Sequence, residues 1–199
     1  MALGYYACDC SLYNSSLAVK EQISGSLNRN ISLDISEVGI LIRECSEDDR
    51  EAISRVINEA AKAYRGLIPN DCYGDPYMPI HELRKEMSEM SFFGYKEEAK
   101  LLGAVGYQPI KDVTLVRHLY VLPEYQRRGI GRKLLNHIKS IAAGQRLLVG
   151  TWEAATWAIG FYEKHGFTLQ SNKTELLRKY WTIPERQIEH SVVLAMHAP

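Results

Sequence analysis

No stretch of this 199-residue chain is apolar for long enough to cross a bilayer, which takes about 20 residues. A predominance of one charge is also missing. The chain has 24 Lys plus Arg against 24 Asp plus Glu, a formal net charge of zero. That balance offers no general attraction for nucleic acid or an anionic lipid surface, so any anion binding must be local. Cysteine is scarce: Cys8, Cys10, Cys45 and Cys72 are too few and too scattered for a zinc ribbon or a disulfide framework. Cys8 and Cys10 are the one close pair, and no histidine or cysteine near them would complete a metal site. No metal is expected, and reduced thiols suit a cytoplasmic protein. Met1–Cys10 lacks both a basic start and a continuous apolar run, so no secretory signal is expected. Internal repeats and low-complexity tracts are absent.

What the chain does have is ordinary for a globular protein: 46% hydrophobic and 24% charged residues. The length fits one domain with a full core. Residues 1–38 are hard to read. Leu12, Leu17, Ile23 and Leu27 hint at a short helix, and Ile31, Leu33 and Ile35 alternate as in a strand. An added packing element, a dimer arm and a tail are all compatible with them. Ile40–Arg43 reads as the first core strand. Ser46 then offers an N-cap with Asp49 three residues on. Ile53, Val56, Ile57, Ala60 and Ala61 follow at helical spacing.

From Tyr64 to Pro79 the composition turns to loop, with Gly66, Pro69, Gly74 and Pro76. A second helix runs over 81–90, with Leu83, Met87 and Met90 inward. Strand-like runs occupy 91–96, 100–110 and 113–122, joined by links short enough for hairpins. An amphipathic helix over 132–143 ends at Gly144. A strand over 146–152, reached by a crossover helix, should lie parallel to the strand before that helix. A helix over 154–165 and strands over 167–170 and 187–196 complete the reading. Residues 171–186 read as a polar connection.

The chain is organised around Gln126-Arg127-Arg128-Gly129-Ile130-Gly131, which lies between an apolar strand and a helix start. The first N–H groups of a helix lack intrahelical acceptors, and the helix dipole adds positive charge there. Gly129 and Gly131 let backbone approach a bulky anion. Arg127, Arg128, Arg132 and Lys133 add cationic rim. The natural ligand of such a nest is a phosphate or pyrophosphate. The six residues alone are equally compatible with a plain tight loop, and they do not satisfy the P-loop or dinucleotide-binding glycine patterns.

The wider segment, Leu119 to Gly131, resembles the acetyl-coenzyme A motif of the GNAT-type N-acetyltransferases: [QR]-x-x-G-x-[GA] after a strand ending in V-x-P. A second segment, Ala158-Ile159-Gly160-Phe161-Tyr162-Glu163-Lys164-His165-Gly166-Phe167, resembles that family's A-x-x-x-Y-x-K-x-G-F helix. The resemblance covers roughly residues 40–196 and leaves 1–38 as an extension beside a domain over 39–199. It implies an α/β (α+β) fold of the acyl-CoA N-acyltransferase type. Its mixed sheet would have about six to seven strands flanked by helices, splayed between the fourth and fifth. It implies an enzyme that moves the acetyl group of acetyl-CoA, a co-substrate, to an amine. Gln126, Arg127, Arg128, Gly129, Ile130, Gly131 and Arg132 would hold the coenzyme. Backbone at Leu119, Tyr120 and Val121 would bind its pantetheine arm. Tyr162 would be the general acid.

The family often has asparagine seven residues before that tyrosine; here the residue is Ala155, and that contact is missing or replaced. His118, Glu153 or a water chain could serve as base. Tyr64, Asp71, Tyr73 and Asp75, in the loop that would lie over the acceptor, suit a cationic amine through charge and cation–π contact. A small cationic amine is slightly favoured over a protein amine. The alternative reading is a non-catalytic acetyl-CoA-binding sensor or regulatory module. A monomer or a homodimer is expected.

Overall fold

The structure, a computed structural model, describes residues 40–198. The readings made for 1–38 and for the Cys8–Cys10 pair lie outside the described residues. β1 (Ile40–Glu44) leads into a tight helical turn and α1 (Arg50–Ala61). A loop with two further helical turns reaches α2 (Ile80–Glu89). β2 (Ser91–Glu97), β3 (Lys100–Ile110) and β4 (Val113–Val121) then form an antiparallel meander. α3 (Ile130–Ile141) crosses over to β5 (Arg146–Trp152). α4 (Thr156–Lys164), β6 (Thr168–Leu169), α5 (Lys173–Tyr180), α6 (Glu185–Glu189) and β7 (Ser191–His197) follow. One seven-stranded mixed sheet results, in the order β1-β2-β3-β4-β5-β7-β6.

The entry into α1 is fixed by charge. The Asp49 carboxylate accepts from the Ser46 N–H at 3.0 Å, from both terminal nitrogens of Arg43 at 2.8 Å, and from Lys96 at 2.8 Å. Burial of Asp49 opposes its ionisation, but these donors outweigh burial and lower its pKa. The carboxylate therefore ties β1, α1 and β2 together. Apolar residues at helical spacing do the rest: Ile53, Val56 and Ile57 of α1, and Leu134, Leu135 and Ile138 of α3, are fully buried.

The stretch 171–186, expected as a polar connection, holds α5 and the start of α6, and Gln187, expected in the last strand, lies in α6. The reason is the two-sided burial of β5. Successive strand residues point to opposite faces. Leu147 and Val149 join the main core with Val116 and Leu194, while Leu148 joins Leu115, Val193 and Ala195 on the other face. That second face needs a cover, and Leu176, Leu177, Tyr180 and Ile188 supply it. Leu176 and Leu177 lie one helical turn before Tyr180, so the three share a face. Leu177→Ala removes a side chain that is 1% exposed and should cost about 2–5 kcal/mol. Urea unfolding checks this, and a loss below about 1 kcal/mol would mean that α5 does not seal that face.

Candidate functional site

β4 begins as a paired strand and ends as an open edge. Its parallel register with β5 covers Thr114↔Leu147 and Leu115↔Leu148 only. Beyond Leu115 the two strands diverge, while β4 stays paired to β3 as far as Val121. A bulge lies in that second half. Gly106 faces Arg117 and Ala104 faces Tyr120, so two residues of β4 answer one of β3. His118, one of the two, has φ 50°. Histidine is among the few residue types that adopt this left-handed conformation with some frequency.

The open edge runs through Leu119, Tyr120 and Val121 to the glycine loop. Gln126 Nε2 donates to the Val121 carbonyl at 3.1 Å. Arg127 and Gly129 have φ 61° and 80°, and Gly129 caps α3. Ile130 turns inward and is buried, whereas Arg127, Arg128 and Arg132 are exposed. Arg128 lies over the Tyr125 ring at 4.9 Å. Lys133 reaches the Tyr95 hydroxyl at 3.3 Å instead of joining this rim. A Cβ added at Gly131 would meet only ordinary contacts, the nearest being Phe161 at 3.5 Å. The loop is thus an N-terminal nest with three arginines and room above it.

Beside the open edge lies a cleft of ≈ 210 Å³. Tyr64, Asp71, Cys72, Tyr77 and Met78 form its loop wall, and Glu82 contributes from α2. Arg117, His118 and Tyr120 come from β4, while Gly150, Thr151 and Trp152 come from β5. The far wall, from Leu177 to Gln187, is built by the segment of α5 and α6, a contribution that the expectation of a connection missed. Trp181 packs over Gly150, where an added Cβ would stand in ordinary contact with the indole at 3.4 Å.

The four loop residues expected at the acceptor separate. Tyr64 and Asp71 line the cleft. Tyr73 is not among the lining residues; it packs on Tyr77 at 5.8 Å, with Arg65 over its ring. Asp75 pairs with Arg65 at 2.7 Å on the surface. Asp71 pairs with Arg186 of α6 at 3.2 Å. Glu153 pairs with Lys173 at 3.2 Å and is largely exposed, outside the lining.

Tyr162 is buried against Phe161 and Phe167. It does not itself line the cleft, but its hydroxyl couples to Tyr64 and Tyr120, which do. Burial, then the field of Tyr64, raises its pKa, so it holds its proton at neutral pH. Ala155 is 1% exposed and packs with Tyr64, Ile68 and Trp152. Its methyl group adds apolar packing where the family often places an amide.

A buried ion cluster went unread in the sequence. Glu86 accepts from Arg117 at 3.0 Å and lies 3.1 Å from His118 Nε2. Its side chain is 7% exposed. Burial disfavours the charged carboxylate, but the charge and hydrogen bonds of His118 and Arg117 prevail and bring its pKa down to about 2. The signal was present: Glu86 follows Leu83 by three residues, on the inward face of α2.

Residues 88–169 match the family model described as the acetyltransferase (GNAT) domain. Over that stretch, less than half of its length, the chain resembles the GNAT acetyltransferases. Solved structures share its fold. The PaiA N-acetyltransferase of Thermoplasma acidophilum, in complex with coenzyme A, superposes with a TM-score of 0.59 at 20% identity, covering 80% of this chain and 99% of that one. The ribosomal-protein-S18-alanine N-acetyltransferase of Escherichia coli gives 0.58 at 17%, covering 80% and 94%. Ard1 of Thermoplasma volcanium gives 0.61 at 17%, covering 80% and 98%. A curated relative, UPF0157 protein YqkA of Bacillus subtilis, is 30% identical over 109 residues. That match takes in 52% of this chain but only 32% of the length of YqkA.

Replacing Glu86 by Gln removes the charge that Arg117 and His118 face. At neutral pH this should cost about 3–5 kcal/mol, the usual loss when a buried pair is broken. The carboxylate pKa is depressed in the folded state, so its stabilisation is complete above 4.5 and is lost as pH falls towards about 2. The stability gap between wild type and Glu86→Gln should therefore narrow over that interval. Denaturant titrations at several pH values test it, and a constant gap would contradict the ionised state of Glu86.

Proposed function

We propose that the chain is an acetyl-CoA-dependent N-acetyltransferase acting on an amine. One continuous path carries the reading. The nest at α3, the open edge of β4 and the tyrosine-lined cleft meet within residues 118–131, and Tyr120 belongs to both edge and cleft. The PaiA neighbour is in complex with coenzyme A. In this chain the nest would take the coenzyme pyrophosphate, and the arm would add to β4 as a pseudo-strand.

His118 is the base we assign. Ionised Glu86 has no proton to donate, so the hydrogen between them sits on His118 Nε2. In the neutral ring Nδ1 then carries the lone pair. It takes a proton from the ammonium, directly or through water. The amine lone pair attacks the thioester carbonyl, and a β4 backbone N–H stabilises the tetrahedral oxyanion. Collapse breaks the carbon–sulfur bond, Tyr162 protonates the departing thiolate, and the second proton of the acylated nitrogen passes through water to restore the Tyr162 hydroxyl. The products are the N-acetyl amine and coenzyme A.

Thiol release from acetyl-CoA across a panel of polyamines, aminoglycosides, amino acids and peptides, against a no-acceptor blank, tests the activity. Tyr162→Phe should lower kcat by roughly ten- to a thousandfold with coenzyme binding kept; an unchanged kcat would remove Tyr162 from the mechanism. In Gly131→Glu the added Cβ meets only ordinary contacts, and an acidic group suits a helix start, so the protein should fold. The added carboxylate would nevertheless repel a pyrophosphate. Calorimetry should show acetyl-CoA binding abolished, and an unaltered affinity would refute the nest.

A further inference from the structure

The charges lining the cleft do not all have partners. Arg117 and His118 face Glu86. Arg186 faces Asp71 and Glu189. Glu82 is different. It lines the cleft from the first turn of α2, half-buried, and its carboxylate has no hydrogen bond or ion pair among the described residues. Burial raises its pKa; His81 opposes this in part, and the negative field of Glu86, one turn along the same helix, adds a smaller push upward. A second cation nearby would relieve both costs, since it replaces lost hydration and offsets the neighbouring charge.

The other lining groups suit a cation with an apolar stem. Tyr64, Tyr77, Tyr120, Trp152 and Trp181 present aromatic surface to the same narrow space. Trp152 Nε1 donates to the Tyr77 hydroxyl at 3.0 Å, which holds these two rings in place. Methylene groups pack on such surfaces, and an ammonium gains from ring faces. The cleft, of ≈ 210 Å³, has room for a linear aliphatic chain.

We propose that Glu82 is the anchor for the distal ammonium of a flexible diamine acceptor, whose other amine lies toward His118 and receives the acetyl group. This rests on reading the cleft as the acceptor site. Glu82 touches substrate and no reacting atom, so it sets which amine binds. A monoamine of equal length offers nothing to the carboxylate and forfeits a partly desolvated ion pair.

The test is calorimetric, on protein saturated with coenzyme A, with diaminobutane and aminobutane as probes. Diaminobutane should bind roughly tenfold or more tighter, and Glu82→Gln should erase that preference by weakening the diamine alone. Equal affinity of the two amines for the wild type would overturn the proposal, whether or not the variant folds. A preference kept in folded Glu82→Gln would overturn it too. These titrations need no turnover, so they read Glu82 independently of thiol release. Coenzyme binding is titrated first and bears on the transferase reading alone.

Discussion

The divergence of β4 from β5 after Leu115 is the constraint on which the rest depends. Two strands that stayed paired would satisfy each other's N–H and C=O groups and leave no open edge. Here the extra residue in the bulge at His118 twists β4 away, still paired to β3 on its other side. The divergence cannot be filled by sheet, so it becomes cleft. Side chains from four directions close around it: the loop after α1, α2, the two strands, and the segment of α5 and α6. Fold and site share one cause.

Electrostatics inside the domain is local, as zero net charge requires. Asp49 gathers Arg43 and Lys96 at one place, and Glu86 gathers Arg117 and His118 at another. The two clusters differ in consequence. The first fastens secondary structure away from the cleft lining. The second sits in the cleft wall and fixes the orientation of a titratable ring beside the bulge. Buried pairs of this kind are weak contributors to net stability, because desolvation offsets much of the attraction, but they are strong determinants of geometry.

Most of the strand and helix order was legible, because β2, β3, β4 and the helices α1 and α3 follow simple periods. The parallel step to β5 followed from the crossover helix alone. The turn into α3 at Gly129 was legible from two glycines before an amphipathic run. The acceptor side was harder to read. Asp75 and Tyr73 share their loop with Tyr64 and Asp71, yet Arg65 draws them to the surface. Sequence proximity does not say which way a loop residue turns. Glu86 was hidden for the opposite reason: a charged residue on an apolar stripe reads as an exposed one until its partners, 31 and 32 residues later, are brought to it. The helices over 173–189 were hidden by their polar faces, although Leu147, Leu148 and Val149 in succession already required cover on both sides of the sheet.

The contact between Asp71 and Arg186 spans 115 positions of sequence and joins opposite walls of the cleft at their solvent-exposed ends. Such a contact is screened by salt and yields readily to thermal motion. It behaves as a clasp, not a weld. Raising the ionic strength outside the molecule loosens it, and the two walls it joins are then held together less firmly.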